Sequence, residues 1–305
     1  MKPSCALTIV APSVIKDANL IASNLPESAF PAWNPTATYA LGEIVHLLST
    51  HREYKSAIAG NQGKNPATDT DAWVDNGPTN KWAPFDGSVG TQAIGVGGLI
   101  TYQFRLGAVV SYMGLLNLTG ASTINVRVVD PVAGEVYNKT VDLQRRPEAV
   151  GWWNWFFGPR SMASQSLFDD LPPFRNADIF VTITGGNDLG LGVLLFGLPR
   201  KFSYGVQYGA RLGIQDYSRK ERTPYGDYVF VERAFAKRAS FTMLINAGEV
   251  DPLSTYLARI RTTPVLWVGS DRFEATTIYG IYKNYELVIA YPEYSVFELE
   301  LEGLT

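Results

Sequence analysis

The chain predicts a mainly β protein of more than one domain, and three features of its 305 residues carry that prediction. Charged residues make up 18%, below the average of about 25%, while Tyr, Phe and Trp together reach 12%. Glycine (28) and proline (18) punctuate the chain often enough to cut it into strand-length apolar runs. Only one stretch, near residues 252–262, has the period and start signals of a sizeable helix. An apolar fraction of 46% is ample for a buried core, and the length suits roughly two domains with a small additional unit.

Residues 1–31 read as a lead segment and linker. Thr8-Ile9-Val10 has strand character, 16–23 suits a short helix, and Pro26 and Pro31 restrict their neighbours. Residues 32–86 form an aromatic-rich unit. Within it 42–48 and 52–57 read as two strands joined around Ser49-Thr50, and 60–80 is too interrupted by Gly and Pro for long regular structure. Residues 87–199 hold candidate strands at 99–106, 109–116, 123–130, 135–143, 152–157, 179–184 and 191–196, the pattern of a jelly-roll-like β-sandwich. Ile124, Val126 and Val128 alternate with Asn125, Arg127 and Val129, and Asp130-Pro131-Val132-Ala133-Gly134 supplies a turn. Gly185-Gly186-Asn187-Asp188-Leu189-Gly190 reads as a hairpin turn, since it lacks the Lys-Ser/Thr of a phosphate loop. Residues 200–305 read as a C-terminal β domain with strands at 227–231, 239–246, 265–268, 275–282, 285–290 and 294–301. Its helix has Asp251 as N-cap, Pro252 at the first position, and Leu253, Tyr256, Leu257 and Ile260 on one face.

Composition also bounds function. A net charge of -3 lacks the clustered Lys and Arg of a nucleic-acid surface. Cys5 is the sole cysteine, so an internal disulfide and a thiolate zinc site are excluded. His46 and His51 read as strand-face residues, and no metal or cofactor is expected. No run approaches the roughly twenty apolar residues that span a bilayer, and the first residues lack the apolar core of a signal peptide. The expectation is a cytosolically made product with no membrane insertion.

A catalytic constellation is not found. Asp169-Asp170 lie adjacent in a Pro-rich loop, whereas a glycosidase needs carboxylates facing across roughly 5–10 Å. Glu298, Glu300 and Glu302 alternate with Leu299 and Leu301, the wet face of a strand. Basic residues at 219–222 and 233–238 read as solvated faces or as salt-bridge partners of a neighbouring subunit. The expected role is therefore non-enzymatic.

Aromatic rings point to cohesion or adhesion. Trp33, Tyr54, Trp73 and Trp82 either form the core of a small unit or, where exposed, stack on pyranose rings. The run Gly151-Trp152-Trp153-Asn154-Trp155-Phe156-Phe157, read as a strand, sends Trp153, Trp155 and Phe157 to one face and Trp152, Asn154 and Phe156 to the other. Such a strand is either buried on both sides or an assembly interface.

The spacing of Trp33, Tyr39, Gly42, Val45, Tyr54, Gly63, Pro66 and Trp73 resembles the short carbohydrate-binding modules of bacterial chitinases and cellulases. Those modules commonly carry a platform tryptophan before the loop proline, where this chain has Lys64-Asn65 before Pro66. Residues 73–86, with Gly77-Pro78-Thr79-Asn80-Lys81-Trp82-Ala83-Pro84-Phe85-Asp86 the distinctive part, resemble a segment of bacteriophage and prophage tail proteins. That resemblance implies a virion component of the tail tip or baseplate. Its implied partners are other phage tail proteins and further copies in a threefold or sixfold assembly, with a host cell-surface glycan as a possible target of residues 32–86. A free polysaccharide-binding protein and a purely scaffolding tail protein are the alternatives.

Overall fold

The computed structural model describes residues 6–145, 152–157, 161–202, 206–207, 209–222, 225–270, 273–289 and 291–304. It is mainly β, with 53% strand and 10% helix, and β-sandwich-like. Two compact units divide it: Met1–Ser13 with Phe196–Thr305, and Val14–Leu195. This differs from the expected divisions at 31, 86 and 199. The aromatic-rich stretch and the sandwich strands form one unit, and the lead segment is not an independent linker.

In the unit of Val14–Leu195 the main sheet runs in the order Gly134–Asp142, Tyr112–Asp130, Asp178–Gly197, Leu99–Arg105, Leu20–Ser23. Two short strands join it from the side: Gln165–Phe168 on Tyr112–Asp130, and Ala93–Ile94 on Asp178–Gly197. The stretch expected as a helix at 16–23 is a 3-10 turn, Asp17–Asn19, followed by the strand Leu20–Ser23. Strand pairing wins there because two asparagines stitch the segment down. Asn19 Nδ2 donates to the carbonyls of Arg105 and Leu106, while Asn24 exchanges hydrogen bonds with Thr101 N and Leu99 O.

Two strands are far longer than the sequence pattern suggests. Residues 109–116 and 123–130 belong to one strand, Tyr112–Asp130, bent where Asn117 and Gly120 take positive φ (53° and 61°). Likewise 179–184 and 191–196 belong to Asp178–Gly197, so the glycines at 185–190 are not a hairpin turn. They allow a backbone crossing. A Cβ on Gly185 would sit 2.2 Å from the Gly120 carbonyl oxygen, and one on Gly120 would sit 2.5 Å from Asp188 Oδ1. Glycine is required because any side chain would occupy space already filled by backbone.

The turn at 130–134 forms as expected. Asp130 Oδ1 accepts from the amides of Val132 and Ala133, both at 2.9 Å, and Gly134 takes φ 77° before Gly134–Asp142 returns along 123–130. Inward residues Ile124, Val126 and Val128 are buried with Ile100, Phe104, Phe168 and Ile183.

The aromatic-rich stretch is a three-stranded sheet ordered Ile44–Leu47, Arg52–Ser56, Trp73–Pro78. The third strand lies within the stretch expected to be irregular. The turn between Ile44–Leu47 and Arg52–Ser56 places His51 at φ 51°, off the strand face it was assigned to.

The unit of Met1–Ser13 with Phe196–Thr305 is a seven-stranded sheet ordered Pro199–Lys201, Thr8–Val10, Val265–Val268, Thr277–Val288, Tyr294–Gly303, Phe235–Asn246, Arg211–Asp216. The pairings given for neighbouring strands are antiparallel. One helix, Val250–Ile260, covers its inner face. Leu253, Tyr256, Leu257 and Ile260 are buried against Phe241, Trp267, Phe297 and Leu299, the face its period predicted. Asp251 is not the N-cap. A 3-10 turn, Ala247–Glu249, precedes the helix, and Asn246 caps that turn by accepting from Gly248 N. Glu298 and Glu300 are exposed between buried Leu299 and Leu301, as the alternation required.

Gly185→Ala is expected to lower stability by about 2 kcal/mol or more, since the new methyl overlaps the Gly120 carbonyl and the two strands must separate. Urea unfolding of the variant beside the parent protein reads this directly; an unchanged midpoint would show that the crossing is not tight.

Candidate functional site

Of the four rings proposed as sugar platforms, Tyr54, Trp73 and Trp82 are buried in packing. Trp73 and Tyr54 are 2% and 7% exposed and pack with Tyr39, Val45 and Ala72. Trp73 meets Tyr39 edge-on at 5.3 Å and donates from Nε1 to the Lys64 carbonyl. Lys64, standing where a platform tryptophan was sought, therefore tethers the core through its backbone. Trp33 is half-buried against the same core. Tyr54 and Trp73 are enclosed in this core.

Trp82 is also buried, at 8% exposure. One face stacks on His51 (4.0 Å, 20°), and its edge meets Phe85. Phe85 in turn packs edge-on against Tyr102 and Phe104 of the neighbouring strand Leu99–Arg105. Tyr102 donates to the Lys81 carbonyl, and burial, reinforced by the charge of Glu27, pushes its phenol well above the ordinary range. A continuous aromatic chain thus fastens the small sheet to the large one. Trp33 Nε1 and Trp82 Nε1 are buried without a hydrogen-bond partner among the described residues.

His51 is the polar counterpart of that joint. Its Nδ1 lies 2.7 Å from Glu27 Oε1 and its Nε2 lies 2.5 Å from Asp17 Oδ1. A neutral ring could donate to only one of the two carboxylates; the doubly protonated ring donates to both. Glu27 Oε1 also accepts from Thr79 Oγ1 at 3.0 Å. The groove beside this cluster, about 310 Å³, is lined by Lys16, Asp17, Thr50, His51, Trp82 and Asp86. The two acids lie on different ring nitrogens and so face different points. Among the described residues no group of three or more His, Cys, Asp or Glu is placed to hold a metal ion. His46, the other histidine, is buried and its Nδ1 lies 2.7 Å from the Phe30 carbonyl.

Asp170 is a loop clamp. It accepts from Tyr137 Oη (2.6 Å) and Lys139 Nζ (2.8 Å). Burial pushes its carboxyl up, but those two hydrogen bonds outweigh it and hold the group below the usual carboxylate range. The basic residues at 219–222 find partners within the chain: Arg219 pairs with Glu221, and Lys220 pairs with Asp216.

The exposed apolar surface lies elsewhere. Residues 152–157 form a short helix, Trp152–Phe157, and not a strand. Trp153 and Phe157 are exposed as an interface requires, yet so are Trp152 and Phe156, which the strand reading placed on the opposite face. The side chain of Trp155 lies outside the described residues. A second surface was missed. Arg219–Arg222 and Tyr228–Val231 pair into a hairpin arm between the edge strand Arg211–Asp216 and its partner Phe235–Asn246. All four residues of Tyr228–Val231 are exposed, Phe230 at 70%, and Tyr225 near the turn is 94% exposed. The signal was present in the sequence: Tyr228-Val229-Phe230-Val231 has no polar alternation, the mark of a strand covered on both faces.

Neither the family models nor the curated proteins compared with the chain give a match.

His51→Gln is expected to cost about 1–3 kcal/mol, because Glu27 keeps only part of its hydrogen bonding in a largely buried position; thermal unfolding measures it. For Asp170 the sign follows from its lowered folded-state value. The clamp adds stability above the ordinary carboxylate range and loses it as pH falls through the folded value. Asp170→Asn should therefore destabilise by less than about 1 kcal/mol at neutral pH, the group being half exposed, and the difference should vanish in acid.

Proposed function

We propose that the chain is a structural, non-enzymatic subunit of a phage tail tip or baseplate that assembles with further copies and other tail proteins through its hairpin arm. The observation that carries this reading is the arm itself. Tyr228 and Phe230 stack at 5.8 Å on one side of a two-stranded ribbon, and Val229 and Val231 are exposed as well. A two-stranded ribbon is marginally stable alone and gains from a covering partner. Leu212 and Ile214 of the edge strand Arg211–Asp216 are also exposed, at 46% and 64%. The resemblance of residues 77–86 to tail-protein segments supports the virion setting.

The scaffolding form of this reading is favoured over sugar attachment through residues 32–86, because Tyr54, Trp73 and Trp82 are occupied in packing. Any role at a host surface then comes from the position of the subunit in the particle.

Light scattering coupled to size exclusion tests it on the full chain. The parent protein is expected as a discrete oligomer. A Tyr228→Ser, Phe230→Ser double variant should dissociate at least about a hundredfold more readily, as two large apolar side chains lose roughly 1.5–3 kcal/mol of burial each. A parent protein that stays monomeric at high concentration, with the variant indistinguishable from it, removes the reading.

A further inference from the structure

An apolar pocket of about 320 Å³ lies within the unit of Met1–Ser13 with Phe196–Thr305, lined by Val206, Ala210, Leu212, Phe273, Ala275 and Thr276 among others. Its wall is uncovered: Leu212 and Phe273 are 46% and 53% exposed. The Thr276 hydroxyl is engaged inside that wall, accepting from the Ser270 amide at 3.0 Å and donating to the Phe273 carbonyl at 2.6 Å. A small polar ligand needs several hydrogen-bonding groups converging on it, whereas this lining offers mainly apolar contact. One ladder joins the pocket to the hairpin arm. Arg211–Asp216 pairs with Phe235–Asn246 from Arg211 opposite Ser240 through Asp216 opposite Phe235. Tyr217 N then donates to the Ala234 carbonyl, and Arg219 meets Val231 in the arm. Leu212 stands near the start of this ribbon. Phe230 lies opposite Lys220, which follows Leu212 by eight residues, roughly 25 Å of extended chain.

We infer that this pocket receives the arm of a second copy, with Tyr228 and Phe230 of one subunit seated against Val206, Leu212 and Phe273 of the next. Such a contact rests on the proposed assembly through the arm and names the surface that accepts it. The arm and the pocket are both apolar and both uncovered in the single chain. They stand toward opposite ends of one ribbon. An arm therefore enters its own pocket only if the ribbon folds back on itself, which breaks the hydrogen bonds from Tyr217 N to Ala234 O and from Arg233 N to Ser218 Oγ. A donor and an acceptor carried on one sheet define a head-to-tail contact, which repeats from copy to copy and closes into a ring where the rotation between neighbours allows it. An arm-to-arm contact would instead leave Leu212 and Phe273 in water. The shapes agree as well: each aromatic side chain has on the order of 150–250 Å² to bury, and a concave apolar site covers a ring on several sides at once.

Light scattering on full-length variants, alone and mixed, decides it. The arm variant, Tyr228→Ser with Phe230→Ser, keeps the pocket. A pocket variant, Leu212→Ser with Ala275→Glu, keeps the arm and sets a charge in the apolar lining. Thermal unfolding of both should match the parent, since all four replaced side chains are exposed. Ala275→Glu alone, in the 3-10 turn Glu274–Thr276, serves if Leu212→Ser disturbs the edge strand. The pocket variant should dissociate at least about tenfold more readily than the parent, because its contact would bury a charge. Mixing the two variants should restore a one-to-one dimer and nothing larger, since one retains an intact pocket and the other an intact arm. A pocket variant that assembles like the parent overturns the inference and leaves assembly through the arm standing. So does a pair of monomeric variants that yields no dimer on mixing. An arm variant that assembles like the parent removes the assembly reading itself, and this inference with it.

Discussion

The arrangement depends on one aromatic joint. Trp82 stands between His51 and Phe85, and Phe85 reaches Tyr102 and Phe104, so the ring chain runs from the small three-stranded sheet into the large one. Small sheets bury too little apolar surface to stand alone, and five-membered cores such as Tyr39, Val45, Tyr54, Ala72 and Trp73 are near that limit. Large rings solve the problem with few residues, each burying on the order of 150–250 Å². The same use removes them from recognition, because a ring face in contact with another side chain cannot also stack on a ligand. His51, held between Glu27 and Asp17, ties the 3-10 turn at Asp17–Asn19 and the stretch near Glu27 to the same joint. The polar clamp and the ring chain therefore act on one place from two sides.

Fold class was readable because it rests on period and punctuation, which are local. The alternation at 123–130, the turn at 130–134 and the buried face of Val250–Ile260 all follow from residues close in sequence. Long-range features were not readable. The glycines at 185–190 look like a turn, since nothing nearby shows that Gly120 will lie against Gly185. Thr8–Val10 is a three-residue strand whose partners, Pro199–Lys201 and Val265–Val268, lie almost two hundred residues or more away. No local signal could place it inside the C-terminal sheet, so the chain's first residues read as a lead segment.

The candidate site shows the same division. Aromatic composition identified rings with a structural or adhesive role, but composition does not say which rings face water. Tyr54 and Trp73 lie in a stretch with enough strand partners to enclose them. Trp152 to Phe157 lie on a segment paired by only two residues on each side, with no sheet to cover them. Six consecutive residues with only Asn154 polar suit a strand buried on both faces as well as a helix, and period alone does not separate the two.

An apolar strand without alternation is a statement about surroundings. In a sheet buried on both faces every position is covered, so Tyr228-Val229-Phe230-Val231 is ordinary; in a free ribbon it leaves about four apolar side chains in water. All four are exposed, on a ribbon whose opposite strand is Arg-Lys-Glu-Arg. Charge on one strand and apolar surface on the other leave a face that would gain free energy if it were covered.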